Sequence, residues 1–191
     1  MKNLQYHLTG IVPVIPHNGD LASPLNKFSQ ESKKISSKRK KVDADYLEMA
    51  RLEFLGGLYV QDGRPIIPAK CLEAMLIGKG GSARKEKMGV QAAPALFIPD
   101  DCLLIYEGPT DPVKLWESGE FTFQSLVRVG QAKIMRTRPM FREWELDVLI
   151  SYEPDLLEEQ AIDRWMDVGG SIIGLCDWRP RYGRFSVERV F

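Results

Sequence analysis

Hydrophobic and polar residues alternate most regularly over residues 143–152. Apolar side chains recur at every second position, at Trp144, Leu146, Val148, Ile150 and Tyr152. A period of two is typical of a half-buried β-strand. The spacing then becomes helical, which predicts a helix that starts near Pro154-Asp155 and ends or loosens at Gly169-Gly170.

The same patterns predict most of the remaining elements. Strands are expected over residues 4–15, 58–60, 95–98, 102–106, 121–129, 131–138 and 184–191, and helices over 45–56 and 69–77, with one helical turn near 113–117. Residues 78–92 are rich in Gly, Lys and Ala and predict an exposed loop. The basic segment 33–41 predicts a solvated loop.

The order of these elements indicates an α+β protein. An N-terminal strand and helix, followed later by strand, strand, helix and strand, fits a ferredoxin-like or modified RRM-like β-α-β-β-α-β core with an inserted middle region. We expect a single domain over residues 1–191, with a basic loop at about 30–44 and an insertion at about 78–120.

The formal net charge of the 191 residues is zero, from 26 Lys and Arg and 26 Asp and Glu. The charge is nevertheless sorted along the chain. Residues 33–41, 79–87, 128–142 and 179–189 together hold 19 basic and 2 acidic residues, a net charge of +17, so the rest of the chain carries −17. Neutrality therefore does not exclude a polyanionic partner.

Motifs of the common enzyme classes are absent from the sequence: it has no P-loop, GxGxxG, GxSxG or HExxH. Cys71, Cys102 and Cys176 are far apart in sequence, and there are two histidines, so we expect no cofactor, zinc site or disulfide framework. No apolar stretch is long enough for a membrane span. We expect a cytoplasmic protein.

The candidates for acid–base or metal-assisted cleavage are His17 and Asp20, which share a predicted loop.

Three basic segments and one corner of the fold are candidates for phosphate binding. In residues 174–185, glycines bracket Trp178, Tyr182 and three arginines, a mixture that can clamp phosphates and stack bases, although an ordinary loop would also contain it. Arg136 and Arg138 lie on one side of an extended chain, where they could follow successive phosphates or simply face solvent. Residues 33–41 fit either a loop that closes over nucleic acid or an ordinary surface loop. The proline-containing corner at residues 62–76 could offer helix N–H groups to a phosphate or form part of the core.

Together these segments resemble the RAMP superfamily, in particular the RNA-binding backbone subunits of CRISPR effector complexes. The resemblance is carried by Leu8-Thr9-Gly10-Ile11, by residues 63–76 (GRPIIPAKCLEAML), and by the glycine-bracketed residues 174–185. It implies a modified RRM-like fold, contact with RNA and side-by-side assembly. The short chain fits a compact, free-standing relative, one of phage origin included, which would act in the host cytoplasm. Some members of the superfamily cleave RNA with a loop aspartate, for which Asp20 is the nearest candidate here.

We therefore expect a non-enzymatic protein that binds single-stranded nucleic acid, with RNA favoured over DNA, and that self-associates along the strand or assembles with related subunits. The candidate binding residues are Lys38, Arg39, Lys40, Arg64, Lys70, Arg84, Arg136, Arg138, Arg142, Trp178, Arg179, Arg181, Tyr182 and Arg184. Two alternatives remain open at this point. One is a phage interaction protein that mimics or blocks a defence-complex subunit, and the other is a metal-dependent ribonuclease.

Overall fold

The computed structural model describes residues 1–190, apart from the side chains of Val129 and Ala132. Phe191, the end of the predicted last strand, lies outside the described residues. The chain is mixed α+β. Its strands are β1 Lys2–Gly10, β2 Val60–Gln61, β3 Arg64–Ile67, β4 Leu96–Phe97, β5 Cys102–Leu103, β6 Thr122–Val129, β7 Ala132–Pro139, β8 Glu145–Tyr152 and β9 Phe185–Arg189. Its helices are α1 Lys27–Ser36, α2 Asp43–Gly57, α3 Ala69–Leu76, α4 Ser82–Lys85, α5 Gly89–Ala95, α6 Pro112–Ser118 and α7 Glu159–Val168.

Internal contacts divide the chain into two compact units. The first unit comprises Met1–Ile15, Ile66–Glu107 and the chain from Phe141 onward, and the second comprises Pro16–Pro65 and Gly108–Met140. The predicted insertion at about 78–120 does not coincide with either unit. Residues 78–107 belong to the first unit, whereas residues 108–120 belong to the second.

A four-stranded sheet organises the first unit. Its strand order is β4-β8-β1-β9, and every neighbouring pair is antiparallel. Leu8 lies opposite both Leu146 of β8 and Val187 of β9, which places it at the centre of the sheet. The alternation predicted for residues 143–152 is confirmed: all five of its apolar residues are buried. Helix α7 buries its own apolar face through residues such as Trp165 and Met166.

Residues 78–92 are not the exposed loop that the sequence predicted. They contain helix α4 and most of helix α5, and both Ala83 and Ala92 are fully buried. Alanine has high helix propensity and a small side chain, so it can face a core without producing a conspicuous hydrophobic period. The composition of this segment therefore concealed two short helices.

Helix α2 is the central element of the second unit, and it packs against α1, α6 and strand β7. Leu52 and Phe54 are buried on α2, and the ring of Phe54 lies 5.5 Å from that of Trp116. The two extended segments predicted at residues 121–129 and 131–138 are confirmed as strands β6 and β7, and the structure pairs them as an antiparallel hairpin. Val60 and Gln61 pair with Pro65 and Arg64 around a tight turn.

The predicted basic loop at about 30–44 is partly helical. The side chain of Asn26 accepts hydrogen bonds from the N–H groups of Phe28 (2.9 Å) and Ser29 (3.2 Å), which caps the start of α1. Helix α1 continues to Ser36, so Lys33 and Lys34 occupy its last turn. Lysines there interact favourably with the carbonyl groups that the helix end leaves free.

Candidate nucleic-acid interface

A basic cavity lies within the second unit, beside strand β7. Arg136 and Arg138 both line it, as expected for residues two apart on a strand. Lys33 of α1 and His17 also line it, so four groups that carry or can carry positive charge face one space of about 450 Å³. We call this space the basic cavity. It has the size of a small-ligand site and the charge of an anion site.

Hydroxyl groups also line the basic cavity, together with the apolar residues Leu21, Ala22, Phe28 and Leu52. Ser29, Ser32 and Ser36 follow one another along one side of α1 and all line it. The Ser29 hydroxyl donates to the Leu21 carbonyl at 2.6 Å, and the Ser36 hydroxyl donates to the Lys33 carbonyl at 3.0 Å. Arginine, lysine and serine together are the side-chain types that proteins use to contact phosphate oxygens.

Glu53 occupies one wall of the basic cavity and partly neutralises it. Its carboxylate accepts a hydrogen bond from the guanidinium of Arg136 and a second, at 2.9 Å, from the backbone N–H of Thr137. The side chain of Glu53 is only 15% exposed, against 37% for Arg136. Glu53 therefore positions Arg136 and competes with any anion for its charge.

Glu53 was not among the residues predicted from the sequence. Its one signal is a charged residue flanked by Leu52 and Phe54, both of which the structure buries. Such a position on a helix requires a partner for the charge. The sequence does not say that the partner is Arg136, which lies 83 residues further along the chain.

Lys38, Arg39 and Lys40 lie in the exposed turn between α1 and α2. Lys38 forms an ion pair with Asp45, whose side chain also accepts from the Val42 N–H at 3.0 Å. The hydrogen bond from Lys38 is the main cause that lowers the pKa of Asp45. These three residues do not line the basic cavity, whereas Lys33 from the same basic segment does.

A tight loop in the first unit holds the second group of predicted residues. Gly174 and Gly183, with φ angles of 78° and 73°, occupy the left-handed backbone region that favours glycine. The N–H of Leu175 donates to the Gly183 carbonyl at 2.9 Å, and the Gly183 N–H donates to Pro13 at 2.8 Å. The loop is therefore closed at its base and tied to the N-terminal segment.

The aromatic residues of this loop lie together. The ring centroids of Trp178 and Tyr182 are 6.2 Å apart, and the Arg181 guanidinium lies 5.9 Å from the Tyr182 ring centre. Both rings are half-buried, whereas Arg179 and Arg181 are exposed. Arg184 is half-buried, and its carbonyl accepts from the Ile11 N–H at 2.8 Å. The loop thus offers two arginines and the accessible parts of two aromatic rings.

The other predicted binding residues are dispersed. Arg64 is exposed at the start of β3 in the second unit, and Lys70, Arg84 and Arg142 are exposed in the first. Arg84 donates from Nε to the Ile77 carbonyl at 3.3 Å. None of these four lines the basic cavity.

At the corner formed by residues 62–76, a carboxylate accepts a hydrogen bond from the helix N–H group that the sequence offered to a phosphate. The N–H of Ala69, the first residue of α3, donates to Asp101 at 2.8 Å. Ile66, Leu72 and Leu76 are buried. Of the two possibilities left open for this corner, the structure favours the core element.

The two residues predicted as candidates for cleavage, His17 and Asp20, differ in their relation to the basic cavity. His17 lines the cavity and its carbonyl accepts from the Tyr59 hydroxyl at 3.0 Å, whereas Asp20 is exposed and is not part of the lining. Within residues 1–190, no group of three or more His, Cys, Asp or Glu side chains is arranged to hold a metal ion.

The exposed face of the four-stranded sheet is acidic. His7 of β1 lies 2.8 Å from a carboxylate oxygen of Asp147 and 3.5 Å from one of Glu145, and Glu188 is its neighbour on β9. The hydrogen bond with Asp147 is the main cause that raises the pKa of His7. Three carboxylates around one histidine make this face unsuitable for a phosphate backbone.

The structure brings together two cysteines that are far apart in sequence. A hydrogen bond with Cys71, together with burial, raises the pKa of Cys176. Burial likewise raises the pKa of Cys102, to about 12. Thiols with raised pKa values are poor nucleophiles at neutral pH, so Cys176 and Cys102 do not suit nucleophilic catalysis.

Comparison with known proteins adds no family to these observations, since no protein-family model matches the chain and no curated protein matches it. The resemblance to the RAMP superfamily therefore stays a prediction. Over the part of the chain that the structure describes, no helix has the length and apolar character required to cross a bilayer.

Proposed function

We propose that this protein binds single-stranded nucleic acid, RNA in preference to DNA, without cleaving it. The observation that carries the proposal is the basic cavity, where Arg136, Arg138 and Lys33 converge from a strand and a helix. A phosphate there would accept hydrogen bonds from guanidinium groups and from the neighbouring serines. Such contacts fix the position of a nucleic-acid backbone but do not read its sequence.

Arg138 is a second phosphate contact in this proposal. It lines the basic cavity, and its guanidinium donates a hydrogen bond to the Thr137 carbonyl at 3.2 Å. Its positive charge adds to that of Arg136 and Lys33 on the same lining. The resulting field favours a phosphodiester over a neutral ligand.

The glycine-bracketed loop is a second contact region. Arg179 and Arg181 would bind phosphates, and Trp178 or Tyr182 would stack a base. The closed base of the loop, with its Gly183–Pro13 and Leu175–Gly183 hydrogen bonds, supports this role because it holds the side chains in place. A preorganised loop loses less conformational entropy on binding.

We further propose that the first unit is a ferredoxin-like core of the RAMP type. The support is the antiparallel order β4-β8-β1-β9, with helices in the connection from β1 to β4 and α7 between β8 and β9. This is the strand order of a β-α-β-β-α-β fold. The same proposal includes a preference for RNA and self-association along the strand. It also places the protein in the cytoplasm, which for a phage protein is that of the host cell.

An interaction protein that mimics or blocks a defence-complex subunit is the second candidate. The observation that favours it is the acidic sheet face around His7, Asp147 and Glu188, which would suit a basic protein partner. Co-purification with a protein partner that survives nuclease treatment would support this candidate. The position of Asp20 outside the basic cavity gives no comparable support to a metal-dependent ribonuclease.

The decisive test is a titration with single-stranded RNA and DNA of the same sequence at several salt concentrations. The wild-type affinity should fall steeply with salt, because bound phosphates release counterions. Arg138→Gln should weaken binding by about tenfold and reduce the salt slope by about 0.7, the value for one phosphate contact on a single strand.

Arg164→Gln is the matched control, since it removes the same charge from an exposed position on α7 in the first unit. It should leave affinity nearly unchanged. The proposal is wrong if neither nucleic acid binds at low salt, or if the two variants lose affinity equally.

A further inference from the structure

A second cavity of about 410 Å³ lies within the second unit, between α2 and the hairpin formed by β6 and β7. Tyr46 and Leu47 of α2 line one side, and Ile134 and Met135 of β7 line the other. We call it the apolar cavity. Its lining differs from that of the basic cavity, which contains Lys33, Arg138 and three serines.

The two cavities share a wall. Glu53 and Arg136 line both of them, so their ion pair separates a space suited to anions from a space suited to apolar groups. A nucleotide joins a charged phosphate to a planar base through one sugar. Adjacent anionic and apolar subsites are therefore the arrangement that a nucleotide within a strand requires.

Tyr46 is the residue that makes a base the best occupant. Its side chain is exposed and lies among other exposed apolar residues: Tyr46 is 59% exposed, Leu47 64% and Met135 57%. A contiguous exposed apolar patch is a common sign of a binding surface. An accessible aromatic ring on a cavity lining that also includes an arginine is a suitable platform for a nucleobase, because every base has a flat face that can stack on the ring.

Electrostatics favour a nucleobase over an apolar peptide. Arg136 at the shared wall, with Lys33 and Arg138 in the adjoining cavity, attracts a ligand that carries negative charge next to its apolar part. A nucleic acid has both, and Gln124 on the cavity lining can also form hydrogen bonds with base edges. An uncharged peptide lacks the negative charge that these cationic groups attract.

We infer that the apolar cavity binds one nucleobase of a bound single strand, stacked on Tyr46, while the adjoining phosphate occupies the basic cavity. The inference rests on the proposed function and adds a base subsite to it. It makes Tyr46 a nucleic-acid contact that its sequence position gave no reason to select.

The test compares two oligonucleotides of equal length, one with bases and one built of abasic sugar-phosphate units. The wild-type protein should prefer the base-bearing strand, because the abasic strand offers no base to stack. Tyr46→Ala should reduce that preference by roughly tenfold, the scale of one base–aromatic stack, while leaving affinity for the abasic strand unchanged. Tyr46→Phe, which retains the ring, should behave as wild type.

Phe97→Ala serves as the control because it removes a 39% exposed aromatic ring from β4 in the first unit, and it should keep the preference. Equal wild-type affinity for both strands would overturn the base subsite and leave the phosphate contacts standing, as would an equal loss for both strands in Tyr46→Ala. A change in the solution mass of the free protein on Tyr46→Ala would overturn it in favour of a contact between two copies. Absence of binding to either strand would refute the proposed function as well.

Discussion

Neutralising Glu53 should change stability and binding in opposite directions. Arg136 and Thr137 donate to different oxygens of Glu53, and in Glu53→Gln one of these oxygens becomes an NH2 group. One hydrogen bond is therefore lost, and the other loses the charge that strengthens it. Hydrogen bonds to charged groups contribute about 1.5–3 kcal/mol, and the retained acceptor and the partial exposure of Arg136 reduce the loss. We expect the unfolding free energy to fall by about 1–2 kcal/mol.

The same substitution should strengthen nucleic-acid binding. Arg136 would no longer share its charge with a carboxylate, and a phosphate in the basic cavity would take the place of that partner. We expect affinity for a single-stranded oligonucleotide to rise several-fold and the salt slope to steepen by about 0.7, equivalent to one additional phosphate contact. Urea denaturation measures the first effect, and fluorescence anisotropy at several salt concentrations measures the second.

Glu48→Gln is the matched control. It adds the same net charge on the same helix, and the pair it breaks, with Arg51, is more exposed, at 41% for Glu48. Its effects on stability and affinity should both be small. Lower affinity in Glu53→Gln, with the fold retained, would refute the view that Glu53 competes with phosphate, as would an equal gain in both variants.

Two further predictions concern the first unit. Gly183→Ala should destabilise the protein by about 1–3 kcal/mol in urea denaturation, because a Cβ on this left-handed residue would overlap the Leu175 carbonyl. Gly63 is the control, since it is also left-handed but has open space around it, and Gly63→Ala should reduce the free energy of unfolding by less. Equal losses in the two variants would contradict the role of the overlap. The pKa of His7 is raised in the folded protein, so the contribution of His7 to stability is complete below its ordinary pKa near 6.5 and is lost as the pH rises through the pKa of the folded state. Asp147→Asn should lower the His7 pKa measured by NMR and flatten the dependence of stability on pH above pH 6.5. An unchanged His7 titration in that variant would contradict the assignment.

Much of the secondary structure could be predicted because the burial of each element follows one simple period. Strand β8 and helix α7 are the clearest cases, since each buries one apolar face. Helices α4 and α5 could not be predicted in this way. Their buried residues are small, a serine and an alanine in α4 and a glycine and two alanines in α5, and such residues pack closely without creating a hydrophobic pattern.

The site could be predicted only in part, and for a related reason. The two-residue spacing of Arg136 and Arg138 correctly placed them on one side of a strand, since both line the basic cavity. The spacing could not indicate that Lys33 would face the same cavity while Lys38 would pair with Asp45. That difference depends on where α1 ends, which local charge does not determine.

The alternating elements and the sorting of charge into blocks follow from the amino-acid sequence alone, because both are properties of neighbouring residues. Which charges meet depends instead on the tertiary structure. It set Glu53 against Arg136, gathered Lys33 and Arg138 around one cavity, and left an acidic face on the first unit's sheet around His7. Contacts between residues tens of positions apart depend on how the whole chain packs, and a local pattern carries no information about them.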